Sequence, residues 1–142
     1  MSLKCSKHES GLECVFPADP SLVDEFTKLV SHLIKDKCSK KILFNISLVL
    51  RESLNNAVFH GAGGDSSLEI SCSASLDKNK VFFEVRSPGP GFNWKSRLKK
   101  NPAGSTSHCG WGLFIIRQYA DYFEFNEAGN ILRFWMLLND QQ

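Results

Sequence analysis

A carboxylate and a carboxamide lie four residues apart in the stretch ESLNNAVFHG, at Glu52 and Asn56. On a helix this spacing places both side chains on one face, one turn apart. The carboxylate can then act as a general base toward an attacking hydroxyl, and the amide oxygen is a ligand type that Mg²⁺ accepts beside water and phosphate. Most pairs at this spacing are ordinary polar residues of a helix surface, so the chemical interpretation depends on the rest of the chain.

Two glycine-containing segments bear on that interpretation. Gly110 and Gly112 open a stretch of helical spacing, and backbone N–H groups at the start of a helix bind phosphate. Glycines that merely turn the chain into the helix explain them equally well. A second segment, SPGPGF at residues 87–92, forms a turn after a predicted strand.

The whole segment from residue 87 to residue 110 is rich in Gly, Pro, Ser and Lys, which is typical of a functional lid or of a disordered loop. Four of these residues are basic: Lys95, Arg97, Lys99 and Lys100. They suit a triphosphate, an acidic partner or plain solvent. Four charges without interleaved aromatic residues make a poor nucleic-acid site, so no direct nucleic-acid binding is expected.

Two helices must position the first pair. A short strand ends at Pro17, and a helix follows with Asp19 or Ser21 as its cap. The apolar stripe of this helix comprises Leu22, Val23, Phe26, Leu29, Val30, Leu33 and Ile34. A second helix is predicted from about residue 39 to residue 60, ended by Gly61. Its packed side comprises Ile42, Ile46, Val49, Leu50, Ser53 and Ala57.

The second half of the chain predicts four strands and one helix. SLEISCSASL and KVFFEVRS alternate with period two and form an antiparallel hairpin around DKN. Their predicted core residues are Leu68, Ile70, Cys72, Val81, Phe83 and Val85. WGLFIIRQYADYF has helical spacing, and FEFNEAGNILRFWMLL predicts a strand, a turn at Glu127 to Asn130 and a last strand.

This order of elements predicts an α+β fold: a two-layer sandwich in which helices cover one face of a mixed, mostly antiparallel sheet. At 142 residues the chain is expected to be a single domain, residues 1–142. The net charge of +2 is too small for a dedicated nucleic-acid binder. No apolar run reaches the roughly 18 residues of a membrane span, and the N-terminus lacks a signal core.

The five cysteines are odd in number and widely spaced, with no metal-binding pair: Cys5, Cys14, Cys38, Cys72 and Cys109. Free thiols in a reducing cytosol are the expected state. Together these features predict a cytoplasmic protein without a membrane segment.

The three segments together resemble a known family. Glu52-x-x-x-Asn56-Ala57-x-x-His60-Gly61, then SPGPGF, then GWGLFIIRQYAD are similar, in order and spacing, to three successive boxes of the GHKL ATPase superfamily. This histidine-kinase-like superfamily includes gyrase, heat-shock chaperones, histidine kinases and mismatch-repair ATPases. Within it the chain most resembles the small bacterial anti-sigma-factor serine/threonine kinases, from about Pro20 to Leu138.

The resemblance implies roles for individual residues. Glu52 matches the catalytic base, and Asn56 matches the ligand that joins Mg²⁺ to the phosphates of ATP. Gly89, Gly91 and the adjacent Phe92 match the adenine pocket. The phosphate-holding segment is matched by Gly110, Trp111, Gly112 and Leu113, and the ATP lid by residues from about 93 to 109.

The resemblance also implies partners. Such a kinase transfers phosphate from ATP to a serine or threonine of an anti-anti-sigma protein and otherwise sequesters a sigma factor. Relatives form homodimers, for which an aromatic such as Phe82 is either a contact or an ordinary surface residue. His32 lacks the neighbouring Glu and second helix of a histidine-kinase phosphoacceptor, so it is not expected to be phosphorylated. Neither His60 nor His108 has zinc-ligand spacing, and a structural role is expected for His60.

One position departs from the family pattern. Ser87 stands where the family has an Asp that accepts a hydrogen bond from the adenine amino group. Loss of a charged acceptor costs on the order of 1.5 to 3 kcal/mol, although a hydroxyl can still accept directly or through water. Near Gly129, GNIL replaces a stretch in which many relatives carry a Thr. The alternatives are therefore a nucleotide-impaired protein-binding module or a small ATPase, for which no transducer domain is evident.

Overall fold

The computed structural model of the chain describes residues 2–91, 93–98 and 111–139. Its strands are β1 (Lys4–His8), β2 (Gly11–Pro17), β3 (Glu69–Asp77), β4 (Lys80–Arg86), β5 (Tyr122–Phe125) and β6 (Ile131–Leu137). They form one six-stranded sheet in the order β1-β2-β3-β4-β6-β5. Every neighbouring pair is antiparallel.

The helices are α1 (Pro20–Ile34), α2 (Lys40–Asn56), α3 (Trp94–Leu98) and α4 (Trp111–Tyr119), and a π-helical turn (Ala57–Gly61) continues α2. Asp19 caps α1, because its carboxylate accepts a hydrogen bond from the backbone N–H of Ser21 at 2.8 Å. Ser39 caps α2 in the same way. Within the described ranges, no helix has the length and apolar character that crossing a bilayer requires.

The helices cover one face of the sheet, as predicted. Alternate residues of the strands point into this layer and are buried, among them Ile70, Cys72, Ala74, Val81, Phe83, Val85, Leu132 and Phe134. The apolar stripe of α1 packs on them, and the rings of Phe16 and Phe26 stack with centroids 5.9 Å apart. The predicted α+β two-layer fold with an antiparallel sheet is therefore confirmed.

Some boundaries differ from the prediction. Leu68 lies in a bend before β3 and is 39% exposed, so its assignment to the core was wrong. The helix predicted through residue 123 ends at Tyr119, because the chain pairs with β6 from Tyr122 onward. In the segment predicted to be irregular, α3 forms a short helix before the described residues stop at 98.

The first strand and its disulfide were not predicted. All five residues of β1 are exposed, so the strand carries no apolar alternation to reveal it. Its register places Cys5 opposite Cys14, and the two form a disulfide. The expectation of free thiols was therefore wrong for this pair, because strand register rather than sequence spacing brings the sulfurs together. Cys38 and Cys72 are free, and Cys109 lies outside the described residues.

Candidate functional site

The C-terminal end of α2 faces the N-terminal end of α4, and the predicted pair lies at this contact. A β-carbon built on Gly112 would lie 3.2 Å from Oε2 of Glu52 and 3.2 Å from Oδ1 of Asn56. The backbone at the start of α4 therefore lies close against both side chains, and a residue with a side chain at this position would displace them slightly. Three residues predicted from two separate segments are brought together here.

Glu52 is half-buried on the last turn of α2. Burial raises the pKa of its carboxyl above the usual value, and the charge of the neighbouring Arg51 opposes this shift. Arg51 itself pairs with Asp24, its Nη1 lying 2.8 Å from Oδ1. A carboxylate with a raised pKa binds a proton more readily, which is the property a general base needs.

Asn56 is the last residue of α2, where the chain changes from α to π geometry. Its Nδ2 atom is buried, and within the described part of the chain no group accepts a hydrogen bond from it. A buried donor without a partner is costly and requires an explanation, such as a ligand that completes the site. Turns of π geometry inside helices also occur frequently at functional sites.

A small pocket lies beside this pair, at the end of β4. We call it the Ser87 pocket; it is lined by Ser53, Asn56, Ala57, Gly61, Val85, Ser87, Phe125, Gly129, Asn130 and Leu132. Its volume is about 20 Å³, which is enough for one water molecule. A purine ring therefore requires the lining groups to move apart.

Glycines close the rim of the Ser87 pocket. A β-carbon on Gly61 would lie 2.5 Å from Oγ of Ser87, and one on Gly89 would collide with the backbone oxygen of Gly61. Gly91 has φ +97° and lies against the backbone of Ala128, so a side chain there would be both strained and blocked. The predicted glycines thus allow three chain segments to meet at Ser87.

An asparagine network supports the same rim, and sequence reasoning did not find it. Oδ1 of Asn126 accepts hydrogen bonds from the backbone N–H groups of Gly129, Asn130 and Ile131 at 2.9 to 3.0 Å. Its Nδ2 donates to Oδ1 of Asn130 at 2.6 Å, and Nδ2 of Asn130 donates to the carbonyl of Gly89 at 3.2 Å. The turn between β5 and β6 therefore holds the glycine turn after β4.

The start of the predicted lid is attached to this network. The indole N–H of Trp94 donates to the carbonyl of Asn126 at 3.0 Å, and its ring stacks on Phe125 at 5.4 Å. Lys95 lies over the same indole, with Nζ 5.6 Å from the ring centroid. Because Phe125 lines the Ser87 pocket, the base of the lid contacts the pocket wall from behind.

The remaining predicted residues are distributed as follows. Trp111 begins α4, and Leu113 is buried in the core, so Leu113 offers only its backbone to the site. Phe92 and Gly110 lie outside the described residues, as do Lys99 and Lys100. In the part of the chain that the structure describes, no three His, Cys, Asp or Glu side chains form a cluster that would hold a metal.

Comparison with known proteins agrees with this geometry. The sequence model of the histidine kinase-like ATPase domain matches residues 16–136, which includes α1, α2, the glycine turn, α4 and the last strands. No curated protein sequence matches the chain at a significant level. The match extends over most of the chain and includes every described residue of the site, so this protein belongs to the histidine kinase-like ATPase family.

Proposed function

We propose that this chain is an ATP-dependent serine/threonine protein kinase that acts as an anti-sigma factor. It would phosphorylate an anti-anti-sigma partner and sequester a sigma factor when that partner is absent. The observation that carries the proposal is the convergence of Glu52 and Asn56 on Gly112, at the start of α4. A possible general base, a side chain that can bind Mg²⁺ and the N-terminus of a helix meet there, and phosphoryl transfer depends on such groups being positioned together.

Glu52 is proposed to take the proton from the attacking hydroxyl of the partner protein. Its raised pKa fits this task, because the carboxylate must hold the proton while the new bond to phosphorus forms and the bond to the leaving ADP breaks. The backbone N–H groups at the start of α4 are proposed to bind the phosphates, aided by the positive end of the helix dipole. Gly112, without a side chain, lets the start of α4 lie close to Glu52 and Asn56.

The buried and unpaired amide of Asn56 fits a metal-nucleotide ligand. Mg²⁺, when held through the amide oxygen, would neutralise part of the triphosphate charge. The amide nitrogen would then donate to a phosphate oxygen, which satisfies the donor that lacks a partner within the described chain. This interpretation explains the buried, unsatisfied Nδ2 of Asn56 by the proposed ligand.

A second candidate is a protein-binding module of the same fold that uses nucleotide poorly. Two points favour it: the Ser87 pocket holds only about one water, and Ser87, which the family resemblance places at the base-reading position, offers a neutral hydroxyl. Replacing a charged acceptor in this way weakens affinity by about one to two decades. Binding of ATP in the upper micromolar to millimolar range still supports the kinase.

Titration with Mg-ATP, followed by transfer of labelled phosphate to a candidate anti-anti-sigma protein, tests the proposal. Asn56→Ala should remove the magnesium-dependent part of binding, whereas Asn55→Ala, one residue earlier on α2, is the matched control and should not. Glu52→Ala should keep nucleotide binding and reduce transfer by about 10²- to 10⁴-fold.

Three outcomes separate the candidates. Transfer that survives Glu52→Ala would remove the base role from this residue. If the wild-type protein binds no ATP at millimolar concentration while Ser87→Asp does bind it, the result would support the binding module instead. Release of labelled phosphate to water without transfer would support a small ATPase.

A further inference from the structure

The polar side chains of the Ser87 pocket carry no charge. Among its lining residues, the polar ones are Ser53, Asn56, Ser87 and Asn130, and no carboxylate, guanidinium or ammonium group is present. A carboxylate at a base-reading position accepts only, so it favours a purine with an amino group at position 6 and repels one with a carbonyl oxygen there. Hydroxyls and amides both donate and accept, which removes this reason for discrimination.

Ser87 is the side chain of the pocket best able to switch between donating and accepting a hydrogen bond. No hydrogen bond joins its hydroxyl to any residue of the described chain, and its oxygen lies at the rim formed by Gly61. A hydroxyl has one donor and two acceptor positions, and it rotates to suit its partner. It can accept from an amino group or donate to a carbonyl oxygen at the same place.

Asn130 can also both donate and accept, even after its hydrogen bonds within the protein are counted. Its Oδ1 accepts from Asn126 at 2.6 Å, and its Nδ2 donates to the carbonyl of Gly89 at 3.2 Å. One N–H and one lone pair of the carboxamide remain. Ser53 adds little, because its hydroxyl already donates to the carbonyl of Val49 at 2.7 Å.

From this lining we infer that the Ser87 pocket, once its lining groups have moved apart to admit a base, binds 6-amino and 6-oxo purine nucleotides alike, so that adenosine and inosine triphosphates are both accepted. The inference rests on the proposed function, since it concerns the base of the same nucleotide. Ser87 and the free edge of Asn130 are the specificity-determining groups. An acceptor with a negative charge at position 87 would restore the preference for adenine.

Paired titrations with Mg-ATP and Mg-ITP test the inference. Inosine and adenosine differ at position 6 and in the proton at N1, and neither carries the 2-amino group of guanosine, so the comparison isolates this edge of the base. For wild type, the two dissociation constants should agree within about threefold. For Ser87→Asp, ATP should bind at least about tenfold tighter than ITP, because a charged acceptor meets a donor in one base and a carbonyl oxygen in the other.

Ser75→Asp is the matched control, because it adds the same charge to an exposed position of β3, away from the pocket lining. Its ratio of ITP to ATP dissociation constants should equal that of wild type. If Ser87→Asp fails to fold, as judged by its thermal transition, the wild-type ratio alone decides.

The titrations distinguish a failure of the inference about purine selectivity from a failure of the proposed nucleotide site. Wild type that binds ATP and rejects ITP by tenfold or more would overturn the inference and leave the proposed kinase intact. Wild type that binds neither nucleotide at millimolar concentration would overturn both.

Discussion

At the scale of single residues, Glu52 joins a functional property to a cost in stability. Burial raises the pKa of its carboxyl, so the folded chain favours the neutral form. This contribution to stability is complete below the pKa of an unfolded Glu and is lost as pH rises through the folded-state pKa. The ionised group that the proposed base requires is therefore the less stable form of the folded protein.

Glu52→Gln should raise the free energy of unfolding at neutral pH, because the amide never ionises. The difference between variant and wild type should shrink as the pH is lowered and should be smallest well below about 4, where the carboxyl is neutral in both folded and unfolded chains. Thermal or urea unfolding at several pH values measures this difference. A variant that is less stable than wild type at neutral pH would contradict the assigned direction.

Gly112 presents the opposite combination, in which the proposed function rather than stability requires the residue. In Gly112→Ala the new methyl group would lie 3.2 Å from Glu52 and Asn56, so these side chains must shift by a few tenths of an ångström. Alanine favours a helix over glycine by about 1 kcal/mol, which offsets that crowding. We expect unfolding to change by less than about 1 kcal/mol and nucleotide affinity to fall about tenfold or more. Calorimetry on folded protein measures the second effect, and unchanged affinity would separate Gly112 from the nucleotide.

At the scale of elements, the parts that were predictable have local signals. The stripe of α1 and the alternation in β3 and β4 follow from spacing alone and lie where predicted, apart from Leu68. Asp19, one of the two candidate caps, is the cap of α1. The pair at 52 and 56 was likewise visible, because one helix positions both side chains.

The parts that were not predictable depend on contacts between distant segments. Asn130 reaches Gly89 across 41 positions of sequence, and no periodic pattern marks such a contact. Trp94 was visible only as an aromatic beside a basic loop, although its indole is fixed to the carbonyl of Asn126. The π turn after Asn56 replaces the last turn of a predicted α-helix, since residues 57–61 satisfy a helical spacing in either geometry.

The turn between β5 and β6 permits a paired test of the asparagine network. Asn126→Ala removes the acceptor of three backbone N–H groups and should reduce stability by about 2 to 3 kcal/mol. Asn126→Asp keeps this acceptor but replaces the donor to Oδ1 of Asn130 by a second acceptor. It should cost about 1 kcal/mol, because the charged carboxylate strengthens the three turn hydrogen bonds and offsets part of that repulsion. Urea unfolding compares the two. Equal losses would mean that the link to Asn130, rather than the turn, determines the effect.

At the scale of the whole molecule, the two faces and the two edges of the sheet have different roles. The helices and the candidate site occupy one face. The other face carries an ion-pair group in which Glu84 binds Arg86 and Arg133 at 2.6 and 2.7 Å, and Lys80 lies over the ring of Trp135 at 4.1 Å. An antiparallel sheet with one solvated face accounts for the alternation in these strands. β5 and β6 lie at the site edge, and β1 forms the opposite edge.

The disulfide at the β1 edge should stabilise the fold without affecting the site. It closes a loop of about ten residues between Cys5 and Cys14, and such a loop contributes about 2 to 3 kcal/mol by restricting the unfolded chain. Cys5→Ser should lose this amount under oxidising conditions and should become insensitive to reductant. Cys38→Ser, which removes a free thiol, is the control and should keep the response to reductant.

Hydrogen exchange should accelerate first in residues 4–8 when the disulfide is removed. β1 is fully exposed, and without the disulfide it is held only by its hydrogen bonds with β2. Nucleotide affinity should stay unchanged, since three strands separate β1 from β6, which follows the turn that carries Asn130. A parallel loss of affinity on reduction would show that the β1 edge and the site are coupled.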